Sequence, residues 1–193
     1  VEFTGGASSY ACDGDVKLLA VSRVMFVPDS LPELLFIVDL AKGDTIARRS
    51  LLMPIAALSS RTDRLLTGSV LYTASTLDTI STFSEWNFTT GWFDDDRGLL
   101  YRCVPNGVQE IDATTGTIIR GWGTNARAFS RAIRPQNSMW LYVFAWPESD
   151  KPESTFVDAI HLETGERVHY THEYAGGGLV VSEVDASSYV FST

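Results

Sequence analysis

Short apolar stretches separated by polar turns run along the whole chain, and no stretch keeps the helical apolar period over a useful length. Within these stretches apolar and polar residues alternate or form brief apolar runs, which is typical of half-buried and buried β-strands. Turn-forming clusters such as residues 94–98 and the Asn-Gly pair at 106–107 separate them. The pattern predicts an all-β fold.

One hairpin pattern occurs three times, at residues 38–46, 108–119 and 160–168. It consists of an apolar residue, a polar residue that is Asp in two copies, two or three small or polar residues, Gly, and then a second strand. Asp at the head of a turn accepts hydrogen bonds from amides two residues on, and Gly permits a positive φ. The predicted structural turn residues are Asp39, Gly43, Asp112, Gly116 and Gly165.

The spacing of these turns predicts a repeat. If Leu77 marks a copy that has lost its glycine, the turn positions 43, 77, 116 and 165 lie 34, 39 and 49 residues apart. Propeller blades have a period of about 40–50 residues. We therefore expect a single propeller domain, or a fragment of one, over residues 1–193. Its predicted blades are residues 5–51, 54–83, 90–122 and 126–172, with a partial blade at 177–193.

A second mark, a polar turn followed by an aromatic-rich strand, recurs at residues 96–101, 137–142 and 186–191. Together with Ile-Asp-Ala-Thr-Thr-Gly-Thr-Ile-Ile at 111–119, it resembles the blades of β-propellers of the YVTN and quinoprotein-dehydrogenase-like type. The resemblance implies four-stranded antiparallel blades. Such propellers usually have more blades, so the chain is either part of a larger propeller or a small closed ring. A β-sandwich is the alternative outside this class.

Composition narrows the function classes. The chain of 193 residues carries a net charge of −9, which argues against a nucleic-acid partner because phosphate binding needs a basic surface. No apolar run approaches the roughly 20 residues of a membrane span. The chain begins at Val1 without a signal-like segment, so we expect a processed chain or a fragment, located outside the cell or at its surface.

Two kinds of covalent modification are suggested by the sequence. Cys12 and Cys103 are the only cysteines, and either a disulfide between them or two free thiols is consistent with the pattern, which places Cys12 in a turn and Cys103 in a strand. Asn87 begins an Asn-Phe-Thr sequon and is the predicted glycosylation site.

The sequence gives little support for a catalytic or metal-binding site. The acidic turn at 94–98 is interpreted as a solvated turn rather than a calcium loop, since it lacks a later carboxylate to close the coordination. The three histidines with Glu173 could bind zinc, but His169 and His172 would point to opposite faces of a strand, and His161 occupies a turn position. The sequence contains no Gly-x-Ser-x-Gly motif and no phosphate-binding glycine loop. We predict no catalytic residues, no metal and no cofactor.

These observations predict a non-enzymatic binding or assembly module that presents propeller loops to a protein or a glycan. The expected partner is a protein or a second chain that completes the propeller. The alternative is part of a propeller-fold enzyme, a hydrolase or dehydrogenase, whose catalytic groups lie partly outside this chain. A structural subunit of a filament is a third, weaker hypothesis.

Overall fold

The structure is a computed structural model that describes residues 7–12, 17–23, 34–50, 55–84, 90–105, 107–124, 128–133, 138–146, 154–173, 180–185 and 188–192. All regular structure in these residues is β-strand. The prediction of an all-β fold is therefore confirmed.

The eighteen strands in the described ranges form four sheets of four strands and one pair. Sheet 1 contains β1 (Ala7–Cys12), β2 (Leu18–Arg23), β3 (Leu34–Asp39) and β4 (Asp44–Ser50). Sheet 2 contains β5 (Ile55–Ser59), β6 (Arg64–Thr67), β7 (Val70–Thr73) and β8 (Thr79–Thr82). Sheet 3 contains β9 (Gly91–Asp94), β10 (Leu99–Val104), β11 (Gly107–Asp112) and β12 (Ile118–Gly123). Sheet 4 contains β13 (Ala128–Ile133), β14 (Trp140–Trp146), β15 (Ser154–His161) and β16 (Arg167–Glu173). Sheet 5 contains β17 (Val180–Asp185) and β18 (Ser188–Ser192).

Each four-stranded sheet is an up-and-down meander in which sequential strands are hydrogen-bonded neighbours. Every strand pair whose register the described residues define is antiparallel. This is the topology of a propeller blade, and it confirms the predicted four-stranded antiparallel units. The predicted blade limits stay predictions as domain boundaries.

The chain divides into two compact units. The first comprises Val1–Val104 and Val108–Gly121, and the second comprises Pro105–Gly107 and Trp122–Thr193. In the first unit, β1 contacts β5 and β5 contacts β9, so the first strands of sheets 1–3 lie side by side. We call the turn between the third and fourth strands of each sheet its outer turn, and the fourth strand its outer strand.

Sheet 2 is buried on both faces, which explains why its strands contain consecutive apolar residues. Leu65 belongs to a cluster shared with sheet 1, which contributes Leu35 and Ile37. Its neighbour Leu66 belongs to a second cluster shared with sheet 3, which contributes Leu100 and Ile111. Full burial of each such side chain stabilises the fold by about 1.5–3 kcal/mol. No single blade could shelter these residues, so their burial requires neighbouring blades.

Sheet 4 carries the described core of the second unit. Leu141, Val143, Ile160 and Leu162 are each at most 1% exposed. Buried residues are consecutive at 141–143 and at 157–160, which again indicates a sheet that is covered on both faces.

One predicted secondary-structure assignment is wrong. Cys12, expected in a turn, is the last residue of β1 and pairs with Leu19 of β2. The strand continues one residue further than the turn signal of residues 13–15 suggested, because a turn residue in the sequence does not prevent the preceding residue from pairing. Cys103 lies in β10, where a strand was predicted.

Candidate interaction surface

The outer turns of sheets 1–4 share one backbone geometry. In each, the amide of the last turn residue donates to the carbonyl four residues earlier at 2.8 Å. Gly43, Gly116 and Gly165 have a φ of 72° at this last position. Glycine is favoured there because a side chain in the left-handed region clashes with its own backbone.

The first residue of the turn accepts amides through its side chain. Asp112 Oδ1 accepts the amides of Thr114 and Thr115, each at 2.8 Å, and Asp39 Oδ1 accepts the two equivalent amides in sheet 1 at 3.0 and 3.1 Å. These backbone hydrogen bonds lower the pKa of both carboxyls below the ordinary value of 3.8. In sheet 4, His161 Nδ1 accepts a hydrogen bond from the amide of Thr164 at 3.3 Å, so an imidazole nitrogen replaces the carboxylate as the acceptor.

Sheet 2 builds the same turn from different residues. Leu77 occupies the last position with a φ of 60°, although leucine disfavours this conformation. Its side chain is buried between sheets 1 and 2, and this burial offsets the conformational cost. The carboxylate of Asp63, from the turn between β5 and β6, accepts the amide of Ser75 at 2.8 Å. Asp63 thus replaces the missing turn aspartate.

Each outer turn after the first contacts the outer strand of the preceding sheet. In sheet 2, the carbonyl of Leu77 accepts Nη1 of Arg49 in β4 at 2.8 Å. In sheet 3, a Cβ placed on Gly116 would collide with Cβ of Ser81 in β8. In the second unit, a Cβ placed on Gly165 would lie 3.3 Å from Trp122 Cδ1. The contact is therefore a repeated feature of the blade, made by different side chains each time.

The outer turn of sheet 1 has no such neighbour among the described residues. A Cβ placed on Gly43 would meet no atom within 4 Å, and residues 40–46 are all exposed. Leu40 is 38% and Ile46 is 40% exposed. Two further large apolar side chains are exposed in the described part of the chain, Ile118 at 48% and Ile119 at 52%, both in β12. All four lie on outer hairpins, and we call them the outer-hairpin surface.

A row of aromatic and charged side chains, in which Tyr101 and Glu110 are buried, links the strands of sheet 3. Tyr101 of β10 stacks on Trp92 of β9 with ring centroids 5.5 Å apart, and its hydroxyl donates to Glu110 Oε2 at 3.1 Å. Arg120 of β12 donates to both oxygens of Glu110, each at 3.1 Å. Burial, followed by the Glu110 charge, raises the pKa of Tyr101. One row of side chains therefore joins all four strands.

Two arginines join sheets 2 and 3. The side chain of Arg102 is buried, donates to the carbonyl of Gly68 at 3.2 Å and lies 4.7 Å from the centroid of Phe83. Arg64 Nε donates to the carbonyl of Ala113 at 2.7 Å. Together with Arg49, these contacts make arginine the recurrent link between adjacent blades of the first unit.

The predicted histidine cluster separates into different roles. His169 of β16 contacts the buried carboxylate of Asp158, with Nδ1 2.6 Å from Oδ1, whereas His161 lies in the outer turn. The side chain of His172 lies outside the described residues. Among those described, no three acidic, histidine or cysteine side chains are placed to hold a metal ion.

The acidic turn of sheet 3 contacts the turn between β5 and β6 of sheet 2. Asp96 forms an ion pair with Arg61 at 2.9 Å, and Asp95 accepts hydrogen bonds from Ser59 and Thr62. Asp94 is buried and lies 3.9 Å from Arg97. These carboxylates therefore link two turns.

The remaining predicted sites are the two cysteines and the glycosylation site. Cys103 is buried and forms no disulfide with any described residue, and burial raises the pKa of its thiol to about 12; the side chain of Cys12 lies outside the described residues, and so does Asn87. The pairing and the glycosylation stay predictions. No helix long and apolar enough to cross a bilayer occurs in the described ranges.

Comparison with known proteins supports the fold. No protein-family model matches the chain, and a search of curated proteins finds no match. Among solved structures, BamB from Moraxella catarrhalis matches 88% of this chain and 53% of its own, with a TM-score of 0.60 and 12% identity. Hydrazine synthase from Kuenenia stuttgartiensis matches 94% of this chain and 54% of its own, with a TM-score of 0.68 and 13% identity. The chain therefore has a β-propeller-type fold, and it spans about half the length of these two chains.

Sequence reasoning missed the residues that join the blades. Arg49, Arg64 and Arg102 carry no local motif, because their acceptors are backbone carbonyls 28, 49 and 34 residues away. The exposed apolar residues of β12 could have been found from the sequence, since Ile118 and Ile119 form the apolar pair of the predicted hairpin. Adjacent strand residues point to opposite faces, and a pair of this kind indicates a strand that is covered on both faces or exposed on one.

Proposed function

We propose that this chain is a binding or assembly module that engages a protein through its outer-hairpin surface. The observation that carries the proposal is the position of the exposed apolar side chains. All four that the structure describes lie on outer hairpins, two in sheet 1 and two in sheet 3, and exposed apolar side chains that form a contiguous patch mark protein contacts. The inter-blade hydrogen bonds give these hairpins a rigid support.

The experiment is affinity capture from the native source with the wild-type chain and with Ile118→Glu/Ile119→Glu. We expect the wild type to retain a specific protein and the variant to lose most of it, because a buried carboxylate costs several kcal/mol without a partner. Equal capture by the two chains, or no retained protein, would contradict the proposal. A glycan array tests whether a glycan is the ligand instead, and a location outside the cell or at its surface stays a prediction.

A second candidate is part of a propeller-fold enzyme. One structural neighbour is named a synthase, and the contact between Asp158 and His169 resembles the carboxylate–imidazole pairs that orient a general base. This pair alone supports no reaction, because a general base also needs a positioned nucleophile to activate. A catalytic activity that the wild-type chain has and the His169→Gln variant lacks would favour the enzyme hypothesis.

A further inference from the structure

We propose that the edge of β12 binds an extended, uncharged segment of another protein, which adds to sheet 3 as a fifth strand. This inference rests on the proposed function and deepens it, since it names one part of the outer-hairpin surface and the chemistry of its partner. The site comprises residues 117–121 and the neighbouring residues 79–82 of β8. A strand added in this way gains affinity from main-chain hydrogen bonds and specificity from side chains on both of its faces.

The first observation is that β12 lacks the features that usually protect an edge strand. Sheet 3 ends at β12 in the described part of the chain, and residues 117–121 are all exposed. Edge strands are commonly protected by shortness or by charged side chains. Among the outer strands of sheets 1–3, β8 has only four residues and β4 carries three charged side chains. β12 has six residues, and its one charged side chain, Arg120, donates to Glu110 within the sheet.

The second observation is that the two exposed isoleucines of β12 are adjacent. Ile118 is 48% and Ile119 is 52% exposed. Adjacent strand residues point to opposite faces, so a strand paired with β12 would lie beside Ile118 on one face and beside Ile119 on the other. A partner that docked on one face of the sheet would cover only one of them. The pair therefore favours a strand at the edge.

The third observation is that the surface around the two isoleucines is uncharged. Residues 79–82 and 113–119 contain no charged residue, although the chain carries a net charge of −9. The two segments are neighbours, because a Cβ placed on Gly116 would collide with Ser81. A charged segment bound here would lose hydration without gaining an opposite charge, and the cores of protein interfaces are depleted of charged residues. The complementary partner is therefore an uncharged segment with apolar side chains.

The test is selection from a display library of random octapeptides against the purified chain. We expect enrichment of uncharged sequences that are rich in apolar and β-branched residues. Ile118→Thr/Ile119→Thr keeps branched side chains and removes apolar area, so it should bind the selected peptides at least about tenfold more weakly. The control Leu40→Thr/Ile46→Thr removes two exposed apolar side chains from the outer hairpin of sheet 1 and should bind as tightly as the wild type. No enrichment, enrichment of charged sequences, or equal loss in both variants would overturn the proposal.

The pairing of strands is tested with the tightest of the selected peptides. Its fully N-methylated form keeps the side chains and lacks the amide donors that a strand needs. We expect the methylated peptide to lose binding, and we expect the unmodified peptide to slow hydrogen exchange at the amides of residues 118–121. Equal binding of the two peptides, or protection of other segments only, would overturn the addition of a strand.

Light scattering tests whether a second copy of the chain occupies the edge instead. A mass of twice 21.2 kDa that falls to that of one chain in Ile118→Thr/Ile119→Thr would overturn the assignment to another protein. The capture experiment with Ile118→Glu/Ile119→Glu is separate from these tests. A native protein that the wild type retains and that variant loses, together with a failed peptide selection, refutes only this inference.

Discussion

The outer turns of sheets 1 and 3 have the same local structure and different surroundings. Both have an aspartate that accepts two amides, a glycine with a φ of 72° and the same 2.8 Å backbone hydrogen bond. The turn of sheet 3 contacts Ser81 of sheet 2, whereas a Cβ on Gly43 would meet no atom within 4 Å. The turn conformation is therefore encoded locally, and the packing against it is a separate property of the repeat.

The largest effect that tests this comparison is expected from alanine at the two glycines. Gly43→Ala should cost about 1–2 kcal/mol, the price of a Cβ in the left-handed region. Gly116→Ala carries the same cost plus the overpacking against Ser81, about 1–3 kcal/mol more. Urea unfolding of the two variants measures the difference, with Gly98→Ala as a control because it also has a positive φ and open space around it. Equal losses of unfolding free energy at positions 43 and 116 would show that Ser81 moves aside for the new methyl group without a measurable cost.

Leu77 extends the comparison to the outer turn of sheet 2, where burial of the side chain outweighs the conformational preference for glycine. Leu77→Ala should lose about 2–5 kcal/mol of unfolding free energy, since it empties a buried site and keeps the left-handed φ. Leu77→Gly should be about 1–2 kcal/mol more stable than the alanine variant because it relieves that conformation. This order reverses the usual one, in which glycine is the less stable residue. Thermal and urea unfolding of the two variants decide it, and an alanine variant as stable as the glycine variant would contradict the account.

The hairpins, the alternation of their strands and the repeat of the turns could be predicted because each depends on residues close together in sequence. The alignment of Leu77 with Gly43 and Gly116 is confirmed by its φ of 60°. Asp63 could not be predicted, since it replaces the missing turn aspartate from a different turn, 12 residues away. Arg49 and Arg64 bind carbonyls in the next blade, and a carbonyl has no signature in the sequence. What the sequence leaves open is the set of contacts between blades.

Removing either turn aspartate should destabilise the chain less, and by the same amount in sheet 1 as in sheet 3. Asp39→Ala and Asp112→Ala each remove a side-chain oxygen that accepts two amides, a loss of the same kind as the loss of a helix cap. Because this interaction is local, we expect the two variants to lower the urea midpoint by the same amount. Parallel urea titrations measure them. A clearly larger loss at Asp112 would mean that the covered turn transmits its distortion to sheet 2.

The smallest expected effect is the pH dependence that these two carboxylates contribute. Amides that donate to Asp39 and Asp112 lower the pKa of both below the ordinary 3.8, so the folded chain holds these protons less tightly than the unfolded chain. The stabilisation is therefore present above that ordinary value and is lost as the pH falls through the lowered pKa values. Asp39→Asn/Asp112→Asn keeps the acceptor oxygens and removes the titration, and its other carboxylates match those of the wild type. The difference in urea midpoint between the two chains should be constant from pH 7 to pH 5 and should change as the pH falls below about 4. A difference that does not change with pH would mean that the amides bind the charged and neutral side chains equally well, and the turn would then be held by geometry alone.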